Sequence, residues 1–313
     1  MKSRFVLIVI TNLFLLLITS CSGPKTTPVP TETPEVLPGT GVEYPFITNH
    51  LLLPKTKEQV EGFALNVDGD SKQQLDNRFG ELLNFLNTAG PGLDLQSPID
   101  QAVLTGQMVI LHLVQANDIL NDQSVSWTLF QGQKTQSPPN FDGFDTFAID
   151  SSASPTARLI GSLTEGHFTG GPGTALLELS FLNQPIEVNL IAVHLEADLS
   201  THGCTNGKLG GGLTVDEFRS KILPIFADGI NEMIQIDNAA SNPLLQSLDS
   251  DRNGTVSIQE IENHPLFKIA ISPDLDLLDA SGMFNPGQDG VKDSYSIGLG
   301  FSCVPAAFSV AEE

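Results

Sequence analysis

The run Glu187-Val-Asn-Leu-Ile-Ala-Val-His-Leu195 and the run Leu176-Leu-Glu-Leu-Ser-Phe-Leu182 before it partly alternate apolar and polar side chains. Alternation with a period of two is typical of antiparallel strands that have one buried face and one solvated face. Further strand-like runs, with turn residues between them, cover 49–53, 60–67, 108–114, 124–130, 144–149, 159–163 and 295–304. Several short strands at this spacing predict an antiparallel β-sandwich-like body.

Helical spacing of apolar residues occurs in two parts of the chain. Two helices are predicted near 73–105, where Phe79 and Leu82 share a face and Ser97-Pro98 gives a helix start. A second helical region begins at Leu213, and Pro224 is expected to bend or divide it. The fold class is therefore α+β, with a helical module inserted into the β body. The predicted segments are a signal peptide at 1–21, a stalk at 22–45, a mainly β body at 46–212, the helical module at 213–290 and a terminal strand at 291–313 that returns to the β body.

One polar stretch inside the helical module has the spacing of an EF-hand calcium loop. It runs from Asp249 to Glu260 and has oxygen-bearing side chains at loop positions 1, 3, 5, 9 and 12, with Gly254 at position 6. Ca²⁺ takes about six to eight oxygen ligands, and Gly254 permits the positive φ that the sharp turn of such a loop needs. The predicted ligands are Asp249, Asp251, Asn253, Thr255 through its backbone carbonyl, Ser257 directly or through water, and Glu260 through both carboxylate oxygens.

This stretch resembles the loops of EF-hand proteins. The helix that follows it is soon interrupted by His264-Pro265, and in this respect the stretch also resembles the truncated calcium loops of dockerin-type modules. The resemblance implies Ca²⁺ as the cofactor. A polar Asp/Asn/Gly turn between two helices is the alternative interpretation, because such turns are common without a metal ion. The sequence shows no obvious partner loop, which argues against cooperative calcium sensing.

A second and weaker calcium candidate precedes the first predicted helix. Asp68, Asp70 and Asp76 follow Asn66 in a pattern that resembles Asp-rich calcium repeats with the spacing D-x-D-x-D-G. Ser71 stands where that pattern has glycine, and Asp76 comes late in it. The alternative interpretation is a solvated turn that leads into the helix.

The first 21 residues have the features of an export signal. Lys2 and Arg4 precede an apolar run, and Ile18-Thr-Ser-Cys21 then matches a bacterial lipobox. In this respect the chain resembles bacterial lipoproteins, whose cysteine becomes the first residue of the mature chain and carries acyl groups. The resemblance implies lipidation at Cys21 and attachment to the bacterial membrane. Ser22 is typical of lipoproteins directed to the outer membrane, and a cleaved soluble export is the alternative.

The stalk and the charge bear on what the protein meets outside the cytoplasm. The stretch 22–45 contains six prolines, which predict a semi-extended stalk that cannot pack. The 313 residues include 37 acidic and 15 basic ones, and the net charge of −22 becomes −24 when Lys2 and Arg4 are removed. Such a charge repels nucleic acid and anionic membrane surfaces and attracts divalent cations. We therefore expect calcium ions as partners and no nucleic acid, and we expect a membrane as a partner only through the lipid anchor at Cys21.

The chain contains three cysteines. If Cys21 is lipidated, Cys204 and Cys303 remain, and these two can form a disulfide in an oxidising exported setting. Two isolated buried thiols are the alternative, because spacing along the chain does not show proximity in space.

No catalytic motif of comparable quality accompanies the calcium loop. The sequence contains no G-x-S-x-G, no H-E-x-x-H and no G-x-x-x-x-G-K-[ST], and Gly170-Gly-Pro-Gly173 is expected to be a hairpin turn. We expect a non-enzymatic, calcium-binding lipoprotein anchored at the cell surface, with mainly structural Ca²⁺, a structural or adhesive role and a protein or glycan partner. Two alternatives stay open, an exported hydrolase or glycan-binding enzyme with structural calcium and a calcium-regulated binding protein.

Overall fold

The fold is described from a computed structural model, which covers residues 41–70, 74–89, 94–149, 155–181, 184–235, 243–270 and 272–310. The predicted signal peptide, the predicted lipidation residue Cys21 and most of the predicted stalk lie outside these residues. Among the helices of the described residues, none combines the length and the apolar character that crossing a membrane requires.

Most of the strands belong to one antiparallel sheet that closes on itself. The strands are β1 (Val42–Leu52), β2 (Ile110–Ala116), β3 (Asp122–Gln131), β4 (Thr146–Ile149), β5 (Ala157–Thr164), β6 (His167–Phe181), β7 (Gln184–Ser200), β8 (Gly203–Thr214), β9 (Ser294–Pro305) and β10 (Ala307–Val310). The order in the sheet is β1-β2-β3-β5-β6-β7-β8-β9, and β9 also pairs with β1, which closes the barrel. The short strands β4 and β10 form a separate parallel pair. The predicted antiparallel β body is confirmed, with one closed sheet where a sandwich would have two facing sheets.

Two features of the sequence favour closure over two facing sheets. The first is a shift in the register between β6 and β7 at Gly170–Gly173. These residues lie inside β6, so the hairpin turn predicted there is wrong. Such a bulge increases the local bend and twist of a long strand, as a closing sheet requires. The Gly-rich strand β8 also packs closely, since a Cβ at Gly207 would lie 2.7 Å from the ring of Phe301.

The first strand begins earlier than predicted. Strand β1 starts at Val42, so residues 42–45 belong to the sheet and not to the stalk. Pro45 pairs with Leu113 of β2, whereas the register of β1 with β9 begins at Phe46. A proline is tolerated at such a position, because its missing N–H is not needed on the side that lacks a neighbouring strand.

The helices fall into two connections of the barrel. Between β1 and β2 lie α1 (Lys57–Phe63), α2 (Arg78–Ala89) and α3 (Gln96–Leu104), and between β8 and β9 lie α4 (Val215–Glu217), a π-helical turn (Phe218–Ile222), α5 (Leu223–Gln235), α6 (Pro243–Leu248), α7 (Ile258–Asn263) and α8 (Pro265–Ala270). The strand predicted at 60–67 is wrong, because residues 60–63 are helical and the rest contains only an isolated bridge between Leu65 and Asp76. The Thr56 side chain accepts a hydrogen bond from the Gln59 N–H and caps α1, and this local cap outweighs the β-branched Val60.

The predicted division of the long helix occurs just before Pro224. A proline has no N–H, so the carbonyl of Ser220 cannot receive the usual hydrogen bond from four residues ahead. The backbone widens into the π-helical turn instead, and the Leu223 N–H donates to the carbonyl of Phe218. The widened turn thus relieves the defect without ending the helical segment.

The barrel and the helices share one hydrophobic core. Trp127, Phe168 and Phe301 meet inside it, with ring centroids of Trp127 and Phe168 4.9 Å apart. Helices α2, α3 and α5 add buried side chains to the same cluster, including Phe79 and Phe226. The core therefore fixes both helical connections, the one between β1 and β2 and the one between β8 and β9, against the barrel.

A neutral histidine lies in this core. Trp127 Nε1 donates to His112 Nδ1 at 3.1 Å, so the imidazole proton must sit on Nε2, which lies 2.6 Å from Thr48 Oγ1. Burial lowers the pKa of His112 from 6.5 to about 3. The ring therefore stays uncharged in the folded protein over the whole physiological pH range.

The protein should lose stability in acid because of His112. Below pH 6.5 the unfolded state takes up a proton at this histidine and the folded state does not, so the free energy of unfolding falls by about 1.4 kcal/mol per pH unit. At pH 4 the loss from this residue amounts to about 3 kcal/mol. Urea unfolding of the parent and of His112→Gln between pH 7 and pH 4 measures it. We expect the variant to lose less stability over this range, and equal losses would contradict the assignment.

Candidate metal centre

The loop predicted to bind calcium connects two short helices that are anchored in the core. Leu248 ends α6 and Ile261 lies in α7, and both side chains are almost completely buried. Val256, in the middle of the loop, is 2% exposed, whereas the polar residues around it face solvent. These buried apolar residues hold the two ends and the centre of the loop. Its oxygen-bearing side chains stay outside the core and form hydrogen bonds within the loop.

The first half of the loop is a tight turn around Asp249. Arg252 and Gly254 have positive φ values of 58° and 87°. The two carboxylate oxygens of Asp249 accept hydrogen bonds from the backbone N–H groups of Asn253, at 3.0 Å, and Gly254, at 2.9 Å. The sharp turn that the glycine was predicted to permit is therefore present at that residue.

Glu260 joins the end of the loop to its beginning. One carboxylate oxygen accepts hydrogen bonds from the Ser250 N–H and hydroxyl at 2.8 and 2.9 Å, and the other accepts from the Ser257 N–H and hydroxyl at 2.9 Å. Ser257 in turn caps α7 and accepts from the Glu260 N–H, which completes a capping box. The Ser257 backbone N–H and then the Ser250 hydroxyl lower the pKa of Glu260 to about 2. Glu260 is thus a charged carboxylate at neutral pH.

Three carboxylates converge in this loop. Asp249, Asp251 and Glu260 each offer an oxygen, and these oxygens lie within 4.8 Å of one another. Such a group could hold a metal ion, because a cation between the three would offset their mutual repulsion. The donors are all oxygens, which suit hard cations such as Ca²⁺ and Mg²⁺. The three carboxylates alone do not distinguish calcium from other cations.

The remaining predicted ligands lie in the same loop and are engaged with their neighbours. The side-chain oxygen of Asn253 accepts from the Thr255 N–H and hydroxyl at 2.8 and 2.6 Å, while its amide nitrogen donates to Asp251 at 2.8 Å. Ser257 is held by Glu260. The residues predicted as ligands therefore form one local network of polar side chains, and the oxygens that would bind a cation are already gathered in one loop.

The second calcium candidate lines an acidic cleft of about 510 Å³. Asp68, Asp70 and Asp76 all line it, while residues 71–73 of the predicted pattern lie outside the described residues. The Asn66 side chain accepts from the Asp70 N–H at 3.2 Å and donates to the Asp70 carbonyl at 3.3 Å, which fixes the turn. The cleft also contains Asp274, which precedes β9 and is remote in sequence.

Asp76 is the perturbed group of this cleft. Burial raises its pKa to about 6, with further contributions from the negative charges of Asp68, Asp274 and Asp70, while a hydrogen bond from the Val67 N–H opposes the shift. The cleft therefore contains a carboxyl group that gives up its proton only near neutral pH. Such a group can bind a cation or exchange a proton with a ligand.

The two cysteines of the described residues are bonded. Cys204 in β8 and Cys303 in β9 are direct register partners, with their Cα atoms 4.9 Å apart and their sulfur atoms 2.07 Å apart. The bond links residues 99 positions apart and ties the strand before the helical connection to the strand after it.

Some residues around the candidate sites could not be found from the sequence. Ser250, at loop position 2, donates twice to Glu260, and Asn231 of α5 bonds to the backbone of Val256. Asp274 also lines the acidic cleft, although it lies in the segment before β9, far along the chain from Asp68, Asp70 and Asp76. No motif marks these positions, because the ligand pattern does not specify loop position 2 and the roles of Asn231 and Asp274 depend on the tertiary fold. Comparison of the chain with protein-family models, with curated proteins and with solved structures found no match.

Proposed function

We propose that this protein is a calcium-binding, membrane-anchored cell-surface lipoprotein in which Ca²⁺ is mainly structural. The observation that carries the proposal is the convergence of Asp249, Asp251 and Glu260 within one twelve-residue loop between two helices. This loop has the ligand order that calcium loops use, with the glycine turn at position 6 and a glutamate at position 12. The geometry supports a cation site, and the ligand order favours calcium over other cations.

Calcium also suits the loop better than its main competitors do. Mg²⁺ demands a nearly octahedral shell and keeps several waters, whereas Ca²⁺ accepts a glutamate through both oxygens and a larger, flexible shell. Zn²⁺ prefers histidine and cysteine ligands, and the loop offers neither. The net charge of −22 further concentrates divalent cations around the protein.

The proposed ion would hold together two helices of the connection between β8 and β9, and in this sense it would act as a clamp. Asp249 follows the end of α6 and Glu260 lies in α7, so a cation bound by both joins the two helices. Arg219 at the start of the connection also bonds to Glu262 of α7 at 2.6 Å. A clamp at this loop therefore holds segments that already pack on the barrel, and we expect local ordering and no large change of shape.

Calcium should raise the thermal stability of the mature chain. At a free concentration of 100 times its Kd, a bound ion stabilises the folded state by about 2.7 kcal/mol. For a chain of this size that corresponds to an increase in Tm of about 4 °C. Melting in EGTA, in millimolar calcium and in millimolar magnesium measures the effect. An unchanged Tm between EGTA and calcium would reject the clamp, and an equal increase with magnesium would reject the preference for calcium.

The proposed anchor is Cys21, which would carry acyl groups and tether the body through the stalk. Its support is the lipobox alone. Metabolic labelling with a fatty-acid analogue, followed by membrane fractionation, tests it in a bacterial host. We expect Cys21→Ala to lose both the label and the membrane association. A labelled, membrane-bound variant would contradict lipidation at this residue.

The biological role that we propose is structural or adhesive, with a protein or glycan as partner and without an enzymatic step. Its support is the combination of a predicted anchor and stalk, a closed β sheet and a loop with calcium-ligand spacing, in a sequence without a recognised catalytic motif. A second candidate is an exported hydrolase or glycan-binding enzyme with structural calcium. The acidic cleft favours it, because Asp76, with a pKa of about 6, has the proton affinity that suits general acid–base catalysis.

One pair of variants separates the two uses of the cleft. Asp76→Asn removes the perturbed carboxyl, and Asp228→Asn on α5 is a matched control at an exposed position. If the cleft is catalytic, hydrolysis of polysaccharide substrates between pH 5 and pH 7 should be lost in Asp76→Asn only. If the cleft is the weaker calcium site, the same variant should bind one calcium ion fewer, with no hydrolysis by any of the three proteins.

A further inference from the structure

A side chain outside the loop closes it at position 8. Asn231 of α5 accepts a hydrogen bond from the Val256 N–H at 2.6 Å, and its amide nitrogen donates to the Val256 carbonyl at 3.0 Å. One side-chain amide thus satisfies both backbone groups of a residue whose own side chain is 2% exposed. In an antiparallel strand pair, two facing residues exchange both of their backbone hydrogen bonds, so a second loop placed against Val256 could supply these two bonds from its backbone. Here the amide of Asn231 presents the same donor and acceptor.

The contact also sets the direction of two peptide groups in the loop. A peptide is planar and trans, so its N–H and C=O point in opposite directions. Because the Val256 N–H points at Asn231, the Thr255 carbonyl in the same peptide points away from α5. In the next peptide the Val256 carbonyl points at Asn231, and the Ser257 N–H points the other way, to Glu260 at 2.9 Å. Asn231 therefore orients both the carbonyl predicted at position 7 and the donor that holds the glutamate at position 12.

The helix that carries Asn231 is itself fixed. Ile230, its neighbour, and Phe226, one turn earlier, are buried in the shared core. At the start of the same helical segment, the ring of Phe218 lies 4.6 Å from that of Tyr295 in β9. The amide is thus presented from an element that is packed on the barrel, as a positioning residue needs to be.

We propose that Asn231 takes the place of a second calcium loop and makes this loop a self-sufficient site that binds one ion per chain. The inference rests on the calcium site proposed above. It goes beyond that site by naming Asn231 as the residue that closes the loop and by stating that the loop needs no second loop as a partner. Loss of Asn231 leaves two buried backbone groups unpaired and frees the peptides on either side of Val256. Calcium affinity should therefore fall by about 10-fold to 100-fold, because the ion must then order peptides that Asn231 otherwise holds in place before the ion binds.

The test is a calcium titration of the parent, of Asn231→Leu and of Gln235→Leu. The control makes the same kind of change one turn along α5 at an exposed residue. We expect the parent and the control to bind with equal affinity, Asn231→Leu to bind much more weakly, and the affinity of the parent to be independent of protein concentration. An unchanged affinity in Asn231→Leu, or an affinity that rises with protein concentration because loops of two chains pair, would overturn the inference.

Amide hydrogen exchange in the parent keeps the inference testable if Asn231→Leu does not fold. The Val256 amide should be protected in EGTA as well as in calcium, because its acceptor is a side chain and not the ion. An amide that exchanges freely in EGTA would contradict the closure by Asn231 even if calcium binds. A parent that takes up no calcium at all would instead reject the proposed function, and this inference with it.

Discussion

Replacing Glu260 by glutamine should weaken calcium binding by at least about 100-fold, or about 2.7 kcal/mol. In the proposed site this residue is the ligand that binds with both oxygens, and its carboxylate is charged at neutral pH because its pKa is about 2. Glutamine has nearly the same size but has one oxygen and no charge. The variant should therefore melt at the same temperature in EGTA and in millimolar calcium. Calorimetric titration and thermal melting measure the two effects.

Glu232→Gln is the matched control for this substitution. Glu232 lies on α5 beside Asn231 and is exposed, so the change removes the same charge close to the loop without touching it. We expect it to keep nearly all of the calcium affinity. Equal losses in the two variants would show that the general negative field, and not a ligand, controls binding. If Glu260→Gln bound calcium with the affinity of the parent, Glu260 would not be a ligand of the ion.

Loss of the bond between Cys204 and Cys303 should have the largest effect on stability. The bond closes a loop of about 100 residues, and the chain-entropy model gives such a loop about 4.7 kcal/mol at 25 °C. The closed segment contains the whole helical connection between β8 and β9, including the proposed calcium loop, because the segment starts in β8 and ends in β9. Urea unfolding of the mature protein, with and without a reductant, measures the loss.

Alanine variants give a sharper version of the same test. Cys204→Ala and Cys303→Ala each break the bond, so the double variant should lose little more stability than either single variant. Small costs that simply add would indicate two independent buried thiols. A titration that finds two reactive thiols in the native, unreduced mature protein would contradict the bond directly.

The sequence predicted those strands in which the pattern of apolar side chains reflects the face that is buried. The predicted strands at 187–195, where apolar and polar side chains partly alternate, and at 295–304 correspond to parts of β7 and β9. Strand β8 was missed because its five glycines give no apolar pattern and suggest turns. Those glycines serve close packing in a closed sheet, as at Gly212, where a Cβ would lie 2.2 Å from a methyl group of Leu277. Such contacts exist only after the chain has folded.

The candidate site was predictable to the extent that it is local. The spacing from Asp249 to Glu260 identifies the loop because all the side chains come from twelve consecutive residues. Asn231 and Asp274 could not be found in this way, since each reaches its site from another element. The motif gives the atoms that can touch an ion, and the fold gives the residues that hold those atoms in place.

Calorimetric titration of calcium into the EGTA-stripped protein tests the central claim most directly. We expect a saturable heat of binding in the parent that disappears in Glu260→Gln and persists in Glu232→Gln. A heat of dilution alone in the parent, or the same binding isotherm in Glu260→Gln as in the parent, would contradict calcium binding by this loop.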